Sequence, residues 1–398
     1  MTAARPPRDL RLDIMRGLMQ IVIFASHSPG SFIGAWLIPG SWGLSDSSEQ
    51  FVFLSGVTLG GVFAWRIAGR GFMGAWRDMA GRTARLYRAQ LLLVAASALL
   101  MAAVAAVQGN DATLRAAGWG FLFAHPLGAL PGLLSMLYQP DFMGILPVFI
   151  WCMLVLPLFV ALIRRAGVGV ALAASGAVYA ASWLWGLSPP SLGPDTGIGF
   201  NPFAWQLLFL LGVALGGGWL VLPSGRAAPR ASLILAGLVL AAGLYLRLAW
   251  DGFLPWPAPF TEQAMMADKV GLALPRLIHA LALVWLVAWA IPPRAPWMTA
   301  APARAVGAIG RHSLGAFCLG VFLSFGAGQV LTAWPGARAL LDPLAIGVGT
   351  LALAGFAAWR EQVRLGASIA APVTPTARPA SRALRRSDDP RQGGAAAG

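Results

Sequence analysis

The sequence predicts an all-α, polytopic integral membrane protein: about ten transmembrane helices in one bundle, with both termini in the cytoplasm. Three observations carry that expectation. The 398 residues are 58% hydrophobic and 11% charged, with mean hydropathy +0.69, more apolar surface than a water-soluble fold can bury. Apolar runs of membrane-spanning length recur along the chain. Arginines collect in every second connection between those runs, the asymmetry that marks cytoplasmic loops.

The first span is Ile14–Leu37, preceded by Arg5, Arg8 and Arg11; no small-residue cleavage site closes it, so it is not read as a signal peptide. The second and third spans, Phe51–Arg66 and Ala89–Val107, flank a connection holding Arg66, Arg70, Arg77, Arg82, Arg85 and Arg88. Gly118–Leu137 is apolar but interrupted by Pro126, Pro131 and glycines. It reads as a re-entrant or outer-surface segment, with an eleventh span as the other reading. The fourth and fifth spans, Ile145–Ile163 and Val168–Leu187, enclose Arg164 and Arg165. The sixth, Pro202–Leu222, starts after Asn201, a helix-capping residue followed by proline. Arg226 and Arg230 lead into the seventh, Ala231–Ala249. The eighth, Leu272–Ile291, is followed by Arg294, Arg304 and Arg311, and then come Ser313–Leu331 and Leu340–Trp359. The opposite connections carry only Arg115, Lys269 and Arg338. Residues 1–360 therefore form one transmembrane domain. Residues 361–398, rich in Ala, Pro, Arg and Gly, form a disordered cytoplasmic tail.

The net charge of +14 does not indicate nucleic-acid binding. The arginines adjoin membrane helices, where topology and anionic lipid headgroups account for them, and no basic stripe interleaves with aromatics. The connection carrying Arg82 and Arg85 has two readings: a topogenic loop, or one that also meets a polyanionic cytoplasmic ligand. Cys152 and Cys318 fall inside apolar spans, and no disulfide or metal spacing exists.

Ionisable side chains are costly in hydrocarbon and point to function by default. Arg16 and His27 stand eleven residues apart, about three turns and roughly 16 Å, on nearly one helix face. Asp13 lies three residues before Arg16, a spacing that allows an anchoring ion pair. Ser28, Pro29 and Gly30 loosen the helix beyond His27, where a ligand can approach. Glu49 either complements the dipole of its own helix or holds one nitrogen of His27, leaving the other as a base. Lys269, Arg276 and His279, seven and three residues apart, make one polar face suited to an anion, or residues that snorkel to the interface. Arg311 and His312 stand at the cytoplasmic mouth, and Gln206 points into the sixth span in need of a partner. Ser55 and Gly56 give a small surface of the kind used for close helix packing.

The Arg16–His27 spacing, followed by F-L-S-G at Phe53–Gly56, resembles the membrane-bound acyltransferase family 3. The fuller pattern is similar to its OpgC branch, which modifies osmoregulated periplasmic glucans. The matching segments, in order, are R-L-D-I-M-R-G, E-Q-F-V-F-L-S-G, Q-P-D-F-M-G-I-L-P, F-N-P-F-A-W-Q-L-L-F-L-L-G, P-R-L-I-H-A-L-A-L and I-G-R-H-S-L-G-A-F-C. One departure stands out: Gly144 precedes the I-L-P run where the pattern has an acidic residue, and Asp141 lies three residues earlier.

The resemblance implies acyl transfer from cytoplasmic acyl-CoA, succinyl-CoA above all, to hydroxyls of a periplasmic glucan at the bacterial inner membrane. No permanently bound cofactor and no metal are implied. It also implies that Arg16 and His27 belong to the active centre. The residues fit a mechanism in which His27 is the general base, Glu49 orients it, and Lys269 and Arg276 steer a succinyl carboxylate. Direct transfer and an acyl-histidine relay both fit. Other readings are O-acetylation of another envelope glycan, which product mass separates, and export of a glycan or anion without acyl-CoA consumption.

Overall fold

Long runs of Ala, Leu, Val and Gly leave the backbone little to hydrogen-bond except itself, and about 79% of the structure is helical, with no strand among the described residues. The structure is a computed structural model that describes residues 9–194, 196–223, 227–255 and 268–370. Arg5, Arg8, Arg226 and the tail beyond residue 370 lie outside the described residues.

The expected first span is two helices. α1 (Leu10–Ser26) ends at His27, and α2 (Phe32–Leu37) follows a break in which Gly30 takes a positive φ of 85°. Ser31 caps α2, and the buried Asp342 accepts from the Ser31 hydroxyl and from the backbone N–H groups of Phe32 and Ile33. A partner remote in sequence thus fixes the start of the second helix after the break.

The second and third spans form one element, α3 (Ser47–Gln108), broken only at Gly71, whose φ of 69° and ψ of 174° are outside the helical region. The arginine-rich connection is therefore helical rather than a loop. Ala75, Met79 and Thr83 recur every four residues and are buried, under a face that keeps Arg77 and Arg85 in solvent. Asp78 closes the corner by pairing with Arg66 at 3.0 Å and Arg70 at 3.4 Å. The fourth and fifth spans likewise make one element, α7 (Ile145–Leu184), broken at Gly167.

Between them lie α4 (Ala112–Ala116), α5 (Gly120–Ala124) and α6 (Pro126–Ser135). Ten residues of helix rise about 15 Å, half a bilayer core, so no piece of Gly118–Leu137 crosses by itself. The remaining helices are α8 (Pro202–Gly216), α9 (Arg230–Trp250), α10 (Leu274–Ala290), α11 (Ala301–Arg311), α12 (Ser313–Ala333) and α13 (Arg338–Ala370). α13 takes in the first ten residues expected to belong to the tail. Among the described residues, five segments are long and apolar enough to cross a membrane: α3, α7, α9, α12 and Pro335–Leu365.

Two groups of helices build the core. In one, α3, α7 and α8 meet around Phe63, Leu156, Trp205 and Phe209. Here α3 and α8 approach backbone to backbone: a side chain at Gly60 would run into the carbonyl of Val213, and one at Gly216 into that of Val57. In the other group, α1 packs on α11, α12 and α13 around Phe24, Ile309, Ala316 and Leu353. The candidate site lies between the two groups.

Candidate active site

His27 terminates α1 because Pro29 and Gly30 cannot continue it, and the imidazole is turned back onto its own helix. Nδ1 lies 2.8 Å from the carbonyl oxygen of Ile23 and 3.3 Å from the Ser26 hydroxyl. A carbonyl can only accept, so Nδ1 carries the proton and Nε2 keeps the lone pair. The ring edge meets Phe142 in a T-shaped contact at 5.2 Å.

His27 lines a cavity of about 830 Å³ whose walls come from both helix groups. α1 contributes Gln20 and Ile23, α12 contributes Phe317 and Ser324, and α3 contributes Phe51 and Ser97. A third wall is the segment Gln139–Gly144, which includes Asp141. Partial burial raises the Asp141 carboxyl above its ordinary pKa. Phe142 sits in this segment at a φ of 67°, a region costly for a bulky side chain. Neighbouring amides hold it there. Gln90 Nε2 donates to the Met143 carbonyl, Gln139 Nε2 donates to the Met136 carbonyl, and Gln139 Oε1 accepts from Gly199 N.

Lys269 lines the same cavity. Its ammonium pairs with Asp46 Oδ2 at 2.6 Å and stands 5.8 Å from the Phe200 ring centre. Burial by itself would raise the Asp46 carboxyl. The adjacent Lys269 charge, with hydrogen bonds from Lys269 and Ser47, brings it below its ordinary value. The backbone after Lys269 is stitched in place: Trp205 Nε1 donates to the carbonyls of Lys269 and Val270, Trp183 Nε1 to Gly271, and the Tyr179 hydroxyl to Leu272.

The other expected site residues are distributed differently. Glu49 does not hold His27. It is fully buried, closes the capping box of α3 by accepting from Asp46 N, and receives Arg276 Nε at 2.8 Å. Nor do Lys269, Arg276 and His279 form one face. Lys269 precedes α10, and Leu272 in between turns left-handed with a φ of 49°. His279 is buried against Gly43 and Gly243, with Nδ1 2.7 Å from the Ser45 hydroxyl. Gln206 finds its partner in Ser175, accepting from its hydroxyl at 2.6 Å and donating to its carbonyl at 2.9 Å, so it joins α8 to α7.

At the other end of α1, Arg16 Nη2 donates to the Ser313 hydroxyl at 2.6 Å, and its guanidinium lies 5.6 Å from the Phe51 ring centre. Asp13 is buried where α11 crosses α1 beside Gly310. Arg311 is ion-paired with Glu361, which also meets Arg364 at 3.0 Å and lies 3.7 Å from His312 Nε2. Arg82 is half-buried and Arg85 exposed on the helical connection. None of these lines the cavity. Of the expected residues, the structure brings only His27 and Lys269 to one chamber.

Sequence reasoning missed Asp46, Gln139, Asp342 and Glu361, all of which pair across long sequence intervals. Trp205 had a visible signal, a tryptophan inside N-P-F-A-W-Q.

A family model described as OpgC protein matches residues 8–364. No curated protein and no solved structure matches the chain.

Proposed function

The chain belongs to the OpgC family, and on that premise we propose that it is a membrane acyltransferase carrying a succinyl group from cytoplasmic acyl-CoA to hydroxyls of a periplasmic glucan. The observation that supports this most directly is His27. It is an imidazole whose Nδ1 is committed to a backbone carbonyl and whose other nitrogen has no hydrogen-bond partner among the described residues, on the wall of an 830 Å³ chamber. Counting the two halves of α3 and of α7 separately, together with α1, α8, α9, α10, α12 and α13, gives ten crossings of the inner membrane.

In this reading a glucan hydroxyl and the thioester carbonyl meet beside His27. Nε2 takes the hydroxyl proton as the oxygen attacks the carbonyl carbon. The resulting tetrahedral centre collapses, the carbon–sulfur bond breaks, and the imidazolium returns its proton to the departing thiolate. The products are an ester and free CoA, and His27 ends as it began. General-base assistance of this kind contributes on the order of 10² to 10⁴ in rate. Beyond the reacting carbon, the succinyl carboxylate reaches toward Lys269, whose charge is already partly met by Asp46. Arg16, three turns along α1, belongs to the path of the thioester arm or to the junction with α12. The exposed arginines near Arg85 face the nucleotide phosphates, for which a planar guanidinium is well suited.

The test uses membranes, succinyl-CoA and glucan, with product mass as the readout. His27→Ala should lower transfer at least about 10²-fold at unchanged protein level. Near-normal turnover would remove the imidazole from the reaction.

A further inference from the structure

Three side chains on the chamber wall that the mechanism above does not use carry a buried polar atom without a hydrogen-bond partner among the described residues: Gln20, Ser97 and Thr196, the first two on α1 and α3. Gln20 is only 2% exposed, and its Nε2 has no hydrogen-bond partner among the described residues. Ser97 is 6% exposed, and its hydroxyl is likewise without one. Both line the cavity. Ser97 is unusual in this respect. Thr58 and Thr83, on the same helix, each return their hydroxyl to the carbonyl four residues earlier, the ordinary resort of a hydroxyl within a helix. A buried, unpaired polar group costs about 1–3 kcal/mol, and two of them in helix residues that line one chamber call for a ligand that satisfies them.

Position says which ligand. Gln20 stands seven residues before His27, so the two project from nearly one face of α1 about 10 Å apart, with Gln20 on the Arg16 side. An acyl-CoA thioester carries a secondary amide two carbons beyond sulfur. From the reacting carbonyl carbon to that amide is about five bonds, roughly 6 Å when extended. One hydrogen bond of about 3 Å at the amide closes most of the remaining distance. The match is also chemical, because a primary carboxamide offers both a donor and an acceptor to a secondary amide.

We propose that Gln20 and Ser97 form the subsite for this first amide of the thioester arm, holding the arm so that its carbonyl stops at His27 instead of sliding past. The assignment rests on the acyltransferase reading above. It makes Gln20 and Ser97 donor-binding residues, with no part in proton transfer.

Gln20→Met keeps the side-chain length and removes the amide. Since the native amide has no hydrogen-bond partner among the described residues, this variant should unfold at the same temperature as the parent or a higher one; a residue needed for folding would lose stability. Its KM for succinyl-CoA should rise about tenfold, the worth of about one buried hydrogen bond, with the KM for glucan unchanged. A second measurement uses two short donors, the succinyl thioesters of N-acetylcysteamine, which has the amide, and of butanethiol, which lacks it. They are compared as substrates, or as inhibitors of succinyl-CoA-dependent transfer where they are not turned over. The parent should favour the amide-bearing compound about tenfold, and both Gln20→Met and Ser97→Ala should shrink that preference. A preference and a KM left intact in Gln20→Met overturn the subsite while leaving the acyltransferase standing. A parent that consumes no thioester at all takes the acyltransferase reading down with it.

Discussion

Lys269 could be found in the sequence as an isolated cation ahead of an apolar run, but its counter-charge could not. Asp46 lies more than two hundred residues away and reads locally as a helix cap, which it also is. Their pairing makes a pH-dependent contribution whose sign is fixed. The Asp46 carboxyl is lower when folded than its ordinary value of about 4, so the pair stabilises the fold above that value. The contribution is lost as pH falls through the lowered value. In thermal unfolding of detergent-purified protein, the advantage over Asp46→Asn should hold steady from about pH 8 to about pH 5 and shrink below about pH 4. An advantage that grows on acidification contradicts the assignment. His27 was legible for the opposite reason: an imidazole beside Pro29 and Gly30 announces a helix end at which its ring can be exposed.

Among the helices, the sequence conveyed existence better than extent. The expected apolar runs fall on helices, yet α1 stops at Ser26 because Pro29 and Gly30 follow and Asp342 holds α2 as a separate helix, and the arginine-rich connection is helical because Ala75, Met79 and Thr83 have a core to meet. The polar face expected along α10 failed because Arg276 is drawn across to α3. Glu49 and Arg276 are a buried, hydrogen-bonded pair, and removing one partner of such a pair costs about 3–5 kcal/mol. Arg276→Met should therefore lower the unfolding temperature sharply, and adding Glu49→Leu should restore much of it. If Arg276→Met instead keeps its stability while its KM for acyl donor rises, Arg276 acts on substrate and the anion-binding reading returns.

Across the whole molecule, the chamber is set between two helix groups that each own part of its wall, and the proposed function needs the alternation of arginines to orient the bundle so that reactants reach that chamber from opposite faces. Cysteine labelling tests the frame directly, since Cys152 is buried and Cys318 half-buried in apolar helices. A thiol at Ser188→Cys, in the connection after α7, should react with an impermeant maleimide in intact cells. One at Arg77→Cys should react only after permeabilisation. The reverse pattern would invert the topology and put the acyl donor on the wrong side. Finally, the acceptor that fixes the imidazole tautomer is a main-chain oxygen. No codon change at position 23 short of deletion removes it, and no ionisation of a neighbouring acid alters it. The imidazole thus keeps its proton arrangement through any drift of the side chains around it, and that arrangement is inherited with the helix end itself.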